Sequence, residues 1–338
     1  MRVGVVSKPK WVTRSFKVTA AFVLAAIMSG MPAAPGASAA WAAGRERGAV
    51  IGASGSLAAV AATSARNAWA VGFAGPAARP RTLILRWRGR AWTKVSAPSL
   101  GASGSLAAVA ATSARNAWAV GSTGHAGGTV GYGGKAVILH WNGSTWRSVP
   151  CPRPGTGSVI YAVAAGSASS AWAVGSYATK ANPFGQAYIA RWNGSAWKQV
   201  FFQFGFLSGV VTSARSSWAV GGTGGDGLDF PLALRWNGHA WKQARTPMPQ
   251  SGGHLFGIAA TSPSNAWAVG LTYGLSTKIL IFRWNGAAWK QARTPRLSSG
   301  ALNGIAATSA RNAWAVGHTS SQSNPKTLIL RWNGSAWK

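Results

Sequence analysis

From Leu57 to the last residue, apolar positions come in short runs separated by turn residues, and the same order of runs returns six times. The first copy shows the parts. Leu57–Thr63 is a small-residue apolar run, strand A, and a tight Ala-Arg-Asn turn leads to strand B, Ala68–Gly72. Strand C, Thr82–Trp87, is aliphatic and β-branched, as a half-buried strand requires. Strand D starts at Trp92 and ends near Pro98. Asn-Gly separates C from D at Asn142, Asn193, Asn237, Asn285 and Asn333, with Arg88-Gly89 in the first copy. Both residues of Asn-Gly tolerate positive φ, which makes it a strong two-residue hairpin signal. Strands joined this tightly form an antiparallel A-B-C-D meander. No long helical window occurs in the repeats.

Eighteen of the twenty tryptophans belong to the pattern. One falls in strand B, at Trp69, Trp118, Trp172, Trp218, Trp267 and Trp314; two more flank each C–D hairpin, as at Trp87/Trp92 and Trp141/Trp146. The spacing is 46–54 residues, the period of a propeller blade. The small residues of strand A suit the crowded inner edge of a radial blade, and Trp and Leu fill the wider gaps outside. The predicted fold is therefore all-β, a β-propeller of six four-stranded blades, with repeats near 57–100, 101–155, 156–206, 207–253, 254–300 and 301–338. Residues 52–72 and 101–121 are identical, as in an array that grows by whole blades. The last strand D is cut short at Lys338, so Gly48–Ile51 is expected to complete that blade; an open or seven-bladed ring is the alternative.

The meander puts A–B and C–D turns on one face and B–C and D–A loops on the other. The turns are short and uniform, whereas the B–C loops vary in length and content, and variable loops on a rigid scaffold carry specificity. The ligand-binding candidates on that face are Arg79, Arg81, His125, Tyr132, Lys135, Tyr177, Lys180, Phe184, Asp226, Asp229, Tyr273 and His318. On the opposite face, turn residues Arg66, Arg115, Arg215 and Arg311 form a candidate polyanion-binding ring. Cations beside tryptophan, such as Arg86, Arg191, Arg235, Arg283 and Arg331, are expected to stack on rings instead.

Charge narrows the partners. The chain has 34 Lys and Arg against Glu46, Asp226 and Asp229, a net charge of +31. Such a field draws anionic polymers, acidic glycans or lipid headgroups. Residues 1–17 are basic, Val18–Met28 is a short apolar core, and Ala37-Ser-Ala39 offers a cleavage site. That three-part order predicts a signal peptide over residues 1–40 and export, with 41–56 as a Gly/Ala/Ser-rich tether. An uncleaved anchor is the alternative, with no membrane span left after cleavage. Export disfavours nucleic acid as the polyanion.

Acid–base and metal chemistry find few residues. A glycosidase needs two carboxylates about the bond it breaks, and Asp226 and Asp229 share one loop while Glu46 lies in the tether. The five histidines and Cys151 lack metal-site spacing. The glycine-rich run before Lys135 fails the phosphate-loop pattern, with Thr129 and Ala136 at decisive positions. No cofactor or metal is expected. Asn-Gly-Ser at Asn142, Asn193 and Asn333 fits a glycosylation sequon, but the hairpin demands the same residues.

Ala-Trp-Ala-Val-Gly followed by Arg-Trp-Asn-Gly-Ser-x-Trp resembles the kelch-like and Asp-box repeats of secreted bacterial propellers. In Trp141-Asn-Gly-Ser-Thr-Trp146, Gly143, Thr145 and Trp146 match the Asp-box pattern, while Trp141 replaces its Asp. The resemblance implies a propeller; activity varies widely among such proteins. The expected function is a monomeric, non-enzymatic secreted binding or scaffold propeller, held by charge on an anionic wall polymer, glycan or surface protein. The alternative is a carbohydrate-active enzyme working on the B–C loop face.

Overall fold

The computed structural model describes residues 21–23, 54–76, 79–101, 103–124, 134–180, 182, 185–200, 205–213, 216–224, 228–319 and 325–338. β1 is Ala21–Val23, followed by blade 1: β2 (Gly55–Ser64), β3 (Asn67–Ala74), β4 (Arg81–Trp87) and β5 (Trp92–Lys94). Blade 2 is β6 (Gly104–Ser113), β7 (Asn116–Thr123), β8 (Lys135–Trp141) and β9 (Trp146–Val149). Blade 3 is β10 (Gly157–Ser167), β11 (Ser170–Ala178), β12 (Gln186–Trp192) and β13 (Trp197–Gln199). Blade 4 is β14 (Phe206–Thr212), β15 (Ser217–Gly222), β16 (Pro231–Trp236) and β17 (Trp241–Ala244). Blade 5 is β18 (Gly253–Ser262), β19 (Asn265–Thr272), β20 (Lys278–Trp284) and β21 (Trp289–Gln291). Blade 6 is β22 (Gly300–Ser309), β23 (Asn312–Thr319) and β24 (Lys326–Trp332), with its outer strand reduced to a bridge between Trp332 and Trp337. Within every blade, strands pair antiparallel in chain order. The six blades of the predicted propeller are all present.

β1 pairs antiparallel with β2, Ala21 facing Ala61, and makes the first sheet five-stranded. It falls inside the stretch read above as a leader. The stretch Gly48–Ile51, expected to complete the last blade, lies outside the described residues.

One device recurs in all six inner strands. The register shifts between Leu57 and Ala59, Leu106 and Ala108, Ile160 and Ala162, Leu207 and Gly209, Leu255 and Gly257, and Leu302 and Gly304. Each shift is a bulge that leaves one residue extra: Ala58, Ala107, Tyr161, Ser208, Phe256 or Asn303. A bulge tightens local twist and re-aims the extra side chain. It also draws strand A against strand B at the glycine of Ala-Val-Gly. A Cβ on Gly72, Gly121, Gly175, Gly221, Gly270 or Gly317 would fall on a strand-A carbonyl oxygen. Only glycine permits that approach, so the repeated glycine and the bulge form one structural unit.

The blades are geared by tryptophan. Trp69 sits 4.8 Å from Trp141 and 5.0 Å from Trp146 of the next blade, tilted to the first and edge-on to the second. Trp118, Trp172, Trp218 and Trp267 repeat the arrangement, each against the hairpin pair of the following blade. Such pairs add about 0.5–1.5 kcal/mol each beyond their area burial. The strand-C arginine slides between the rings. Arg86 lies 4.9 Å from Trp69 and 5.0 Å from Trp141, and donates from Nη2 to the Ala114 carbonyl of the next blade. Arg191, Arg235 and Arg283 are held between ring pairs too. His140 takes the arginine place in blade 2 and stacks on Trp118 at 4.1 Å. The expectation that these cations serve packing holds. Blade 6 ends the gearing: Trp314 carries Arg331 at 5.2 Å but is 43 % exposed, and Ile329 is 63 % exposed.

The uniform face is built by two contacts. The strand-C indole N–H of Trp87, Trp141, Trp192, Trp284 and Trp332 donates to a carbonyl in its own blade's A–B turn. The Arg66, Arg115 and Arg311 stems lie under the hairpin glycines Gly89, Gly143 and Gly334.

Candidate ligand site at the seam of blades 4 and 5

On the B–C loop face, four described loop ends are each tied to the next blade by one backbone bond. The strand-A amides of Gly104, Ser158, Gly253 and Gly300 donate to the carbonyls of Pro80, Gly134, Asp229 and Thr277 respectively. The tie is generic, so the side chain at that place is free to differ. Between blades 4 and 5 it is Asp229, and the adjoining strand-A residue is His254. The equivalents of His254 are Ser56, Ser105, Val159, Phe206 and Ala301. One seam thus brings a carboxylate to an imidazole.

The geometry is close. His254 Nδ1 lies 2.8 Å from Asp229 Oδ2, and His254 Nε2 lies 2.8 Å from the Oγ of Ser208, the extra residue of the blade 4 bulge. Asp229 Oδ1 accepts the Gly224 amide at 2.9 Å, and Oδ2 also accepts the Tyr273 hydroxyl at 3.2 Å. Two glycines make room. A Cβ on Gly222 would land on the Asp229 carboxylate, and one on Gly209 would come within 2.9 Å of the Phe256 carbonyl oxygen across the seam. Gly209 stands where blades 1–3 have Ala59, Ala108 and Ala162 and blades 5 and 6 have Gly257 and Gly304. The seam therefore closes tightly enough for Ser208 to reach His254. The Phe256 ring packs 4.9 Å from the imidazole.

Burial alone would raise the Asp229 carboxyl, but the hydrogen bond and electrostatic attraction of His254, with the bonds from Gly224 and Tyr273, outweigh it and hold the group below the usual carboxylate range. The carboxylate is ionised and can only accept. His254 then donates from Nδ1 to Asp229, which turns its Nε2 to the Ser208 hydroxyl. Tyr273 is pushed well above the usual tyrosine range by burial and the neighbouring Asp229 charge, so it stays a donor.

Of the candidates named from sequence, the structure joins Asp229 and Tyr273. Arg79, Arg81, Lys135 and Lys180 are exposed at the ends of other B–C loops. Tyr177 is a buried member of the apolar layer between blades 2 and 3, because β11 runs to Ala178 and draws it out of the loop. His318 likewise belongs to β23, facing Ala301 and Thr327, and is half-buried. His125, Tyr132, Phe184, Asp226 and Arg215 lie outside the described residues. Arg66, Arg115 and Arg311 are exposed on the turn face. Ser208 and His254 were missed. Their signal was a break in the repeat's own pattern, Ser208 where blades 1 and 2 have Ala58 and Ala107, and His254 where they have Ser56 and Ser105. No group of three or more potential metal ligands occurs among the described residues. No described helix is long and apolar enough to cross a membrane.

No protein-family model and no curated relative matches the chain in sequence. Solved structures match its fold. A structure of YCF48 bound to a D1 peptide aligns with TM-score 0.55 and 16 % identity, over 85 % of this chain and 81 % of that one. The GH74 xyloglucanase of Xanthomonas campestris aligns with TM-score 0.50 and 14 % identity, over 81 % of this chain but 46 % of that chain. The six-bladed fucose lectin of Aleuria aurantia aligns with TM-score 0.47 and 13 % identity, over 82 % of this chain and 91 % of the lectin. At these identities the likeness concerns the fold alone, and the six blades are read from this chain's own sheets.

Proposed function

We propose that the chain is a secreted glycan-binding propeller, its ligand held on the B–C loop face at the seam of blades 4 and 5. The observation that carries this reading is the polar cluster of Asp229, His254, Ser208 and Tyr273. At equivalent places, other seams carry Pro80, Gly134, Thr277, Ser105 and Ala301. A carboxylate, an imidazole, a hydroxyl and a phenol beside the Phe256 ring match the donors, acceptors and apolar faces of a sugar. The positive field supplies a second, unspecific attraction to anionic wall polymers, with Arg66, Arg115 and Arg311 as its ring on the opposite face. In this reading the chain acts as a monomer after loss of residues 1–40. A glycosidase is the weaker reading, since Asp229 is the one acid among the described residues and that chemistry takes two.

The test is binding to a panel of neutral and acidic glycans and to isolated cell walls at rising salt. Screening and counterion release remove the charge-held part. Retention of one glycan at high salt, lost in Asp229→Asn and His254→Ala, supports the reading. Uniform loss of every polymer with salt refutes it.

A further inference from the structure

We propose that Ser208, His254 and Asp229 form a catalytic triad that hydrolyses carboxylic esters at the seam of blades 4 and 5. The proposal uses the same seam as the binding reading but does not need a glycan. Three observations carry it. Hydroxyl, imidazole and carboxylate follow one another at 2.8 Å and 2.8 Å, with the two nitrogens of one ring as the links. That constellation is recognised by geometry and role, on whatever fold it occurs. Next, the orientation is fixed: Asp229 accepts from Nδ1, and this turns Nε2 to the Ser208 hydroxyl, the place of a general base. Finally, the supports gather at this seam: Gly222 clears the space for the Asp229 carboxylate, and the Gly224 amide and Tyr273 hydroxyl fix it.

The reaction balances with water as the only co-reactant. The Ser208 hydroxyl proton passes to His254 Nε2 as Oγ attacks the ester carbonyl carbon. The tetrahedral adduct collapses, the carbon–oxygen bond to the alcohol breaks, and the alcohol leaves with the proton from Nε2. Water then gives a proton to Nε2 and attacks the Ser208 acyl carbon, and collapse returns the proton to Oγ with release of the acid. Asp229 stays ionised throughout and stabilises the imidazolium. The Phe256 ring against His254 favours a small apolar acyl group, such as acetyl.

The experiment is labelling of the folded protein with a fluorophosphonate, mapped by peptide mass spectrometry, beside p-nitrophenyl acetate turnover. The expected result is a single adduct on Ser208 and turnover that falls at least ~100-fold in Ser208→Ala and His254→Gln. Alanine is native to this bulge in blades 1 and 2, so Ser208→Ala is expected to fold, which circular dichroism checks. A wild-type protein without adduct, or turnover equal to that of Ser208→Ala, overturns the proposal. Glycan affinity of the wild-type protein at high salt separates the two readings. A glycan retained with neither adduct nor turnover removes the triad alone, and adduct and turnover with no glycan retained remove the binding reading alone.

Discussion

The perturbation most specific to this site is Gly222→Ala. The added methyl would occupy the position of the Asp229 carboxylate, which must then leave its three donors. Hydrogen bonds to a charged group are each worth about 1.5–3 kcal/mol net, but water at the rim replaces part of them, so a loss of about 2–4 kcal/mol is expected. Gly166→Ala is the control, because its Cβ meets only ordinary contact with Thr212 at 3.6 Å. The assay is urea unfolding followed by tryptophan fluorescence from pH 7 to pH 2. The sign follows from linkage: a carboxyl held below its unfolded value adds stability above about pH 4, and this is lost as pH falls through the folded value. With only Glu46 and Asp226 as other acidic side chains, that acid limb belongs mainly to Asp229. Wild type should therefore lose stability below about pH 4 while Gly222→Ala changes little, the two converging in acid. A Gly222→Ala protein as stable as wild type at pH 7, with its acid limb intact, would refute the reasoning.

The gearing predicts a graded tryptophan series. Trp218→Ala, at a fully buried ring between Trp284 and Trp289, should cost about 3–5 kcal/mol in urea unfolding, and Trp314→Ala, 43 % exposed, less than half of that. Asn193 Oδ1 accepts the Ser195 and Ala196 amides at the hairpin of blade 3, so Asn193→Ala should cost about 1 kcal/mol in the same assay. Burial pushes the Cys151 thiol up, and its Sγ donates to the Ala136 carbonyl at 3.5 Å; maleimide should react with it far more slowly at pH 7.5 than with a free thiol peptide.

The architecture could be read from the chain because it rests on local rules repeated six times. Asn-Gly made five of the six C–D hairpins, and the spacing of Trp69 to Trp314 set the blade period. The functional chemistry obeyed a different logic. Asp229 and Tyr273 could be named as candidates because they sit in a loop that varies, on the face the meander assigns to loops. Ser208 and His254 sit inside strand A, which reads as core, and their roles depend on a bulge that no local residue pattern announces. Tyr177 and His318 read as loop residues, but strand B runs two or three residues past Gly175 and Gly317 and includes them. Register across a seam is a tertiary property; what the sequence carried of it was only the departure of single residues from the repeat.

The most direct test of the site is calorimetric titration, at about 0.5 M salt where the Debye length has fallen to roughly 4 Å, of whichever glycan survives the salt series. Wild type, Asp229→Asn and a triple Arg66→Ala, Arg115→Ala, Arg311→Ala variant would be compared. A ligand site at the blade 4 and 5 seam predicts at least ~10-fold weaker binding for Asp229→Asn, about 1.4 kcal/mol, and an unchanged affinity for the triple variant. The reverse pattern, with Asp229→Asn unaffected and the arginine variant silent, would contradict it and place recognition on the opposite face.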